Sequence, residues 1–177
     1  MKPDKQFWEN KRVLLTGHTG FKGSWLALWL TRMGAKVYGF SLAASDTSLF
    51  NVLQPWQGVQ SNFGDLCDRE TITAFVQTVQ PEIVFHMAAQ ALVRPGYVDP
   101  VGTIATNVLG TAHLLDALRD IPSLAAIVVI TSDKAYENDG SGKAFAEDDP
   151  LGGADPYSGS KVRRKLPRIY FAAVISC

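Results

Sequence analysis

Three glycines near the start of the chain have a spacing that suits phosphate binding. Gly17, Gly20 and Gly23 form a GxxGxxG pattern between the short apolar run RVLLT and a longer apolar stretch. The first glycine permits a tight turn, the second lets the backbone approach a pyrophosphate, and the third allows a helix to pack closely on a sheet. The N-terminus of that helix attracts phosphate charge. The pattern predicts a dinucleotide site that includes Phe21.

A tyrosine and a lysine farther along the chain have a spacing that suits proton transfer. Tyr157 and Lys161 are four residues apart, so on a helix they lie on the same face. A lysine ammonium beside a phenol favours the phenolate, which makes tyrosine usable as a base near neutral pH. The YxxxK pattern also occurs on ordinary solvated helices. Its place after a fifth predicted strand favours a catalytic pair.

The run TSDK follows directly on that fifth strand. It contains Thr131, Asp133 and Lys134, at the edge of the sheet where open α/β proteins bind their ligands. An acid and an amine at this edge can serve proton transfers. The less favoured alternative is a charged loop that follows a strand. We select the three residues as catalytic candidates.

Other positions are candidates for contacts with a cofactor or substrate. Asp65 ends the third predicted strand, where it could bind an adenine amino group or simply form a turn. Ala88 and Ala89 follow the fourth strand, and their small side chains let a cofactor lie against the backbone. His86 begins the same motif and is given no catalytic role. Asn107 either lines the site, as a substrate contact, or lies on an exposed helix face.

Strands and helices must alternate to bring these residues together. The predicted strands are residues 12–16, 36–42, 59–63, 82–86 and 125–131. The predicted helices are residues 24–33, 68–79, a long helix opened by Asp99-Pro100, and one opened by Pro156. Parallel strands need crossover helices, so this order predicts an α/β fold with a doubly wound parallel sheet. Residues 137–156 are predicted to form an irregular loop.

Length and composition narrow the possible classes of protein. The chain has 177 residues, which favours one domain, and 17 basic residues balance 17 acidic ones. The chain therefore has no net positive charge that would attract nucleic acid or an anionic membrane. The N-terminus lacks the apolar segment of a signal peptide, so a cytoplasmic location is expected. Cys67 and Cys177 form neither a disulfide framework nor a metal-binding pattern, and no metal is expected.

The second strand leaves the choice of dinucleotide open. It ends in Phe40-Ser41 and lacks the acidic residue that would bind the ribose 2′-hydroxyl of NAD. An arginine that would bind the 2′-phosphate of NADP is also missing there.

Four motifs together resemble the extended short-chain dehydrogenase/reductases. They are GHTGFKG (17–23), HMAAQ (86–90), TSDK (131–134) and YSGSK (157–161). Within that group the chain is similar to the CDP-glucose 4,6-dehydratases, through GHTGFKGSWL, PEIVFHMAAQALVR and TSDKAY. The resemblance implies a Rossmann fold, bound NAD, a CDP-glucose substrate and a role in polysaccharide deoxysugar synthesis.

The resemblance also implies roles for individual residues. Tyr157 would take the proton of the sugar 4-hydroxyl, Lys161 would hold the nicotinamide ribose, and Thr131 would bind near the 4-oxygen. Asp133 would be the acid that helps water leave from C6. Related dTDP-sugar dehydratases have Glu, their C5 base, where this chain has Lys134, so the C5 base stays open.

After Lys161 the resemblance ends. Residues 162–177 form a basic stretch with a proline at position 167. The expectation is an NAD-binding domain over residues 1–161, an atypical tail, and a substrate lobe that truncation or a frame shift has removed. Relatives suggest a homo-oligomer in the full-length protein. The alternatives are another nucleotide-sugar dehydratase or epimerase of the same group, or an inactive fragment that at most binds dinucleotide.

Overall fold

A twisted parallel sheet forms the centre of the molecule. The structure is a computed structural model that describes residues 4–53, 58–138, 140–165 and 174–175. Within that part the strands are β1 (Arg12–Thr16), β2 (Lys36–Ser41), β3 (Val59–Phe63), β4 (Ile83–His86), β5 (Ala126–Ile130) and β6 (Val174–Ile175). They are all parallel and lie in the order β3-β2-β1-β4-β5-β6. The predicted doubly wound α/β fold is confirmed.

Helices connect the strands on both faces of the sheet. They are α1 (Lys5–Trp8), α2 (Phe21–Arg32), α3 (Leu49–Val52), α4 (Arg69–Val79), α5 (Val93–Val98), α6 (Pro100–Ile104), α7 (Gly110–Ala117) and α8 (Pro156–Lys165). The short helices α1, α3 and α5 were not predicted. They have at most six residues, which is too short for a clear apolar period.

Two apolar cores lie on opposite faces of the sheet because successive strand residues point to opposite sides. Leu14 and Val84 face α4 and α7, and both are fully buried. Val13 and Leu15 face α2 in the second core, where they are also fully buried. These cores hold the carboxyl ends of β1 and β4 side by side.

The long helix predicted to begin at Pro100 differs from a regular α-helix. A π-helical turn, Ala105–Leu109, separates α6 from α7. Its i→i+5 hydrogen bonds insert an extra residue into the turn, and such turns often occur at functional sites. Periodicity in the sequence did not predict it. Asp99 caps α6 as expected, with its side chain accepting a hydrogen bond from the amide of Gly102.

The last part of the chain contributes to the sheet in a way that was not predicted. The backbone of β6 pairs with β5, with Val174 opposite Val129 and Ile175 opposite Ile130. Helix α8 extends to Lys165. Pro167, Arg168 and Cys177 lie outside the described residues. The division of the chain at residue 161 stays a prediction.

Among the described residues, no helix has both the length and the apolar character that a membrane span requires.

Candidate active site

A cavity of about 690 Å³ opens at the carboxyl edge of the sheet, where β1, β4 and β5 end. Its wall contains eleven of the predicted site residues: Gly17, Gly20, Phe21, Gly23, Asp65, Ala88, Ala89, Thr131, Asp133, Tyr157 and Lys161. Lys134 and Asn107 are not part of this wall. Residues that are separated by up to 144 positions in the chain therefore meet in one cleft.

The glycine turn forms the floor of the cavity and has no room for side chains. Gly17 has a φ of +75°, and a Cβ atom there would lie 2.7 Å from the amide nitrogen of Ala88. A Cβ atom on Gly23 would overlap the carbonyl oxygen of Gly17. The backbone is therefore open to a ligand, and the residues present fit a dinucleotide pyrophosphate in the way the GxxGxxG pattern predicts.

Helix α2 begins at this floor with uncapped amides. Its N-cap is Gly20, so no side chain accepts a hydrogen bond from the first turn. Phe21 and Lys22 both line the cavity. The amides at the start of α2, together with the helix dipole, can bind phosphate oxygens.

The end of β2 supplies hydroxyl groups to the same cavity. The side-chain oxygens of Thr19 and Ser41 lie 2.7 Å apart, and the Thr19 hydroxyl donates to the carbonyl of Leu42 at 3.0 Å. All three residues line the cavity. Neutral groups thus stand where many dinucleotide-binding proteins have a carboxylate. Ser41 was apparent from the sequence, whereas the position of Thr19 beside it depends on the fold.

Tyr157 and Lys161 lie together on one face of α8. The Nζ atom of Lys161 is 5.4 Å from the centroid of the Tyr157 ring. Tyr157 is 8% exposed and Lys161 is 4% exposed, yet both reach the cavity wall. The positive charge of Lys161 is therefore held near the phenol in a place from which most solvent is excluded. The i, i+4 geometry that the sequence predicts is confirmed.

The residues that follow β5 divide between the cavity and its exterior. Thr131 and Asp133 line the cavity, Thr131 buried and Asp133 exposed. Ser132 caps the short 3₁₀ turn Asp133–Ala135 by accepting a hydrogen bond from the amide of Lys134. Lys134 lies in this turn and is exposed, and it does not line the cavity. Its charge instead acts on Asp155, which precedes α8.

Asp155 stabilises the start of the helix that holds the catalytic candidates. Its carboxylate accepts hydrogen bonds from the amide of Ser158 at 3.0 Å and from the hydroxyl of Ser158 at 2.6 Å. Burial opposes ionisation of Asp155, but these bonds to Ser158, the backbone of Tyr157 and the charge of Lys134 outweigh it and lower its pKa. This cap fixes where α8 begins.

Replacing Asp155 should weaken this helix. An Asp155→Ala chain is expected to lose about 1 kcal/mol of stability at neutral pH, because two hydrogen bonds to the helix terminus disappear. Chemical denaturation followed by circular dichroism measures the loss. Since the folded carboxyl has the lower pKa, the difference from the parent chain should shrink as the pH falls below the ordinary aspartate range. An Asp155→Asn control keeps an acceptor and should lose less; equal losses would contradict the capping role.

Asn107 occupies the π-helical turn and faces the protein interior. It is fully buried, its Oδ1 accepts from the amide of Gln90 at 2.8 Å, and its Nδ2 donates to the Gln90 carbonyl at 3.0 Å. Nδ2 also donates to the hydroxyl of Ser160 at 2.8 Å. The structure therefore does not place Asn107 where it could touch a substrate in this cavity. It connects the loop after β4 to α8.

Asp65 forms a turn and also lies in the cavity wall. Its Oδ1 accepts a hydrogen bond from the amide of Cys67 at 2.9 Å, which is the geometry of a turn. The residue is also exposed in the cavity wall. Ala88 and Ala89 line the opposite side of the glycine turn. The roles of these residues in cofactor binding stay predictions.

His18, inside the glycine turn, is buried among aromatic rings. It is 0% exposed, and neither ring nitrogen has a hydrogen-bond partner among the described residues. Its ring stacks on Phe63 at 6.1 Å and meets Phe50 edge-on at 5.3 Å. A Cβ atom on Gly39 would overlap the ring, so this strand glycine makes room for it. Burial lowers the pKa of His18 to about 4.

This burial predicts acid sensitivity of the fold. The unfolded chain binds a proton at His18 near pH 6.5, whereas the folded chain does so only near pH 4. Stability should therefore fall as the pH drops from 6.5 towards 4, by about 3 kcal/mol over the full window. Urea denaturation at several pH values measures this. A His18→Leu chain should lose most of that dependence, and an unchanged slope would contradict it.

Metal-binding clusters are missing from the part of the chain that the structure describes: no three His, Cys, Asp or Glu residues come together there. The chemistry of the cavity is that of hydroxyl groups, one buried ammonium, carboxylates and backbone amides.

Comparison with known proteins agrees with this geometry. The chain is 50% identical over 159 residues to the CDP-glucose 4,6-dehydratase of Salmonella typhimurium, which covers 89% of this chain and 44% of that enzyme. It is 30% identical to the dTDP-glucose 4,6-dehydratase of Xanthomonas campestris, over 84% of this chain and 45% of that enzyme. The chain thus spans about half the length of these relatives.

The fold also has a solved counterpart. The UDP-glucose 4-epimerase of Brucella ovis, solved in complex with NAD, superposes with a TM-score of 0.70 at 25% identity, over 88% of this chain and 46% of the epimerase. The family model described as GDP-mannose 4,6 dehydratase matches residues 14–167, a range that runs from β1 beyond the Tyr157–Lys161 pair. A match over most of the chain establishes its family, and the chain belongs to the GDP-mannose 4,6-dehydratase family.

Proposed function

We propose that this chain is the cofactor-binding part of a CDP-glucose 4,6-dehydratase, which converts CDP-glucose to CDP-4-keto-6-deoxyglucose and water. The observation on which this depends most is the meeting of Tyr157, Lys161, Thr131 and Asp133 with the glycine turn in one cavity. The 50% identity to the Salmonella enzyme favours the CDP-sugar over other nucleotide sugars. The product would serve the synthesis of polysaccharide deoxysugars.

NAD is the proposed cofactor. When bound, it supplies a hydride acceptor that is restored within the same turnover. The glycine turn and the first amides of α2 would hold its pyrophosphate, and Asp65 lies where an adenine could be bound. Lys161 would hold the nicotinamide ribose. The NAD complex of the Brucella epimerase supports this choice, which the residues at the end of β2 leave open.

The first chemical task belongs to Tyr157. Oxidation at C4 of the sugar requires a base that removes the proton of the 4-hydroxyl, and the phenol lies on the cavity wall beside the Lys161 ammonium. The i, i+4 spacing on α8 keeps the proposed base and the ammonium together. Thr131, at the end of β5, would donate a hydrogen bond to the 4-oxygen and orient the sugar.

The second task is the loss of water from C5 and C6. The C4 ketone acidifies the C5 proton, so a base, which stays unassigned, would take that proton while the C6 hydroxyl receives another and leaves as water. Asp133 is the proposed acid, since its carboxyl is exposed on the cavity wall. Lys134 was a candidate in this region. It does not line the cavity, so we assign it no direct role in this step.

Turnover tests the proposal directly. The protein, in the longest form that its gene encodes, should convert CDP-glucose to a product lighter by one water, as detected by mass spectrometry, without net consumption of NAD. UDP-glucose, dTDP-glucose and GDP-mannose are the comparison substrates, which should be turned over less well than CDP-glucose. Turnover of one of these without turnover of CDP-glucose would overturn the choice of substrate. Binding of NAD without any turnover would indicate a chain that retains only the cofactor site.

A homo-oligomer and a cytoplasmic location complete the proposal. Large apolar side chains are exposed on α5, α6 and the π-helical turn: Val98, Val101, Ile104 and Leu109. Apolar surface of this kind is typical of an interface between subunits. Sedimentation velocity should show a dimer that a Val101→Asp change dissociates, while an unchanged sedimentation coefficient would contradict it. The cytoplasm is proposed because both CDP-glucose and NAD are charged phosphate esters that do not cross membranes unaided.

A further inference from the structure

The histidine at the end of β4 joins two walls of the cleft through buried hydrogen bonds. His86 is 0% exposed, and its Nδ1 atom lies 2.6 Å from the hydroxyl oxygen of Thr16 at the end of β1. The same Thr16 oxygen accepts hydrogen bonds from the amides of Met87 at 3.2 Å and Ala88 at 3.1 Å. Met87 and Ala88 both line the cavity. Thr16 thus holds the loop that faces the glycine turn.

The opposite side of the ring is connected to the π-helical turn. The Nε2 atom of His86 lies 2.9 Å from the hydroxyl oxygen of Thr111, which is 3% exposed. The Thr111 hydroxyl donates to the carbonyl of Asn107 at 2.7 Å. Since Asn107 also donates to Ser160 on α8, these contacts continue to the helix of Tyr157.

Counting lone pairs identifies the tautomer of the ring. A hydroxyl oxygen has two acceptor sites and one proton. At Thr16 the amide of Ala88 donates to the hydroxyl oxygen, and the amide of Met87 is shared between that oxygen and the Thr16 carbonyl. The hydroxyl proton is therefore the group that Thr16 offers to Nδ1 of His86. The Thr111 hydroxyl donates its proton to the carbonyl of Asn107, so the hydroxyl oxygen is left to accept a hydrogen bond from Nε2–H of His86. The neutral ring with its proton on Nε2 satisfies every one of these atoms.

Other forms of the ring do not fit this chain of contacts. A proton on Nδ1 would direct a third donor at the Thr16 oxygen and would leave Nε2 as an acceptor. The Thr111 hydroxyl would then have to give up the Asn107 carbonyl in order to donate to Nε2, at the cost of about one hydrogen bond. The contacts therefore run in a single direction, from the loop amides through Thr16, His86 and Thr111 to Asn107.

We propose that His86 is a positioning residue of the dinucleotide cleft, held as the neutral Nε2–H tautomer so that Thr16 keeps the Met87–Ala88 loop against the glycine turn. The role is indirect, because Met87 and Ala88, and not His86, line the cavity. A test by the Kd for NAD rests on the proposed function, whereas a test by NMR of the histidine tautomer does not depend on it.

Nitrogen-15 NMR of the histidine rings tests the tautomer in the whole 177-residue chain. His86, assigned by the loss of its signals in a His86→Gln chain, should show an unprotonated Nδ1 and a protonated Nε2 at neutral pH. Thr111→Val removes the acceptor for Nε2 while conserving side-chain volume. In that variant the ring should shift towards a mixture of tautomers, and the Kd for NAD should rise about tenfold, as expected for one lost hydrogen bond.

Thr111→Ser is the matched control because it keeps the hydroxyl. It should restore the Nε2–H signal and a Kd within about twofold of the parent value. A protonated Nδ1 in the parent chain would overturn the proposal. So would a Thr111→Val chain that keeps both the tautomer and the Kd. If the parent chain does not bind NAD, the proposed function fails, while the NMR signals of the parent chain still decide the tautomer.

Discussion

A Gly23→Ala chain is expected to lose measurable binding of dinucleotide. The added methyl group would overlap the carbonyl oxygen of Gly17, which is backbone and cannot rotate away. Either the glycine turn or the first turn of α2 must move, and each movement withdraws the amides that face the phosphates. We expect the Kd for NAD to rise by at least about a hundredfold, which corresponds to the loss of two or more hydrogen bonds to charged oxygens. Isothermal titration calorimetry on the purified chain measures this.

Gly159→Ala is the control for this change. Gly159 lies inside α8, and a Cβ atom there would meet nothing within 4 Å. The substitution should leave the Kd unchanged and add about 0.5–1 kcal/mol of stability, because alanine favours a helix interior over glycine. If Gly23→Ala melts at the parent temperature and still binds NAD tightly, the glycine turn is not the dinucleotide site. Circular dichroism of Gly23→Ala separates lost binding from lost folding.

Replacing Tyr157 by Phe should stop turnover and leave cofactor binding in place. The change removes only the hydroxyl group from a ring that is 8% exposed, so packing is conserved. Loss of a general base lowers rates by about 10²- to 10⁴-fold. In the proposed reaction kcat should fall in this range, while the Kd for NAD should stay within about twofold of the parent value. Assays that are quenched at set times, with the product detected by mass spectrometry, give kcat.

Two further variants make this result specific. Tyr38→Phe removes a hydroxyl group from β2, outside the cavity wall, and should keep full activity. Lys161→Met removes the buried ammonium beside the phenol and should weaken both turnover and NAD binding, because Lys161 has two proposed roles. Full activity of Tyr157→Phe would refute the assignment of the base. Equal losses of NAD affinity in Tyr157→Phe and Lys161→Met would make Tyr157 a structural residue.

The sequence predicted the sheet well because buried parallel strands leave a strong local signal. The runs that became β1 and β3 have the predicted bounds, and β4 and β5 differ by one or two residues at their ends. The helix predicted to end at residue 33 has Met33 as its C-cap, and Gly34 follows directly with a φ of +90°. These features depend on neighbours in the chain, so a pattern of residue types is sufficient to find them.

Features that depend on distant contacts were not predictable in the same way. Asn107 was an even choice between an exposed face and the site, and it is buried because Gln90 and Ser160 satisfy its amide. Lys134 lies in a 3₁₀ turn that Ser132 caps, and the sequence pattern did not show that it would lie outside the cavity wall. From the sequence, His86 could be interpreted only as a core residue, because its partners Thr16 and Thr111 are 70 and 25 positions away in the chain.

The pairing of β1 with β4 has a consequence for the order in which the protein folds. Thr16 and His86 lie on adjacent strands that are 70 positions apart in the chain, and Tyr157 is farther still. Closing so large a loop costs more entropy than forming the local unit of β1, α2 and β2. On a ribosome, the glycine turn would emerge and fold against β2 well before its opposite wall exists. We therefore expect refolding chains to gain helical signal early and the ability to bind a dinucleotide only in the last kinetic phase.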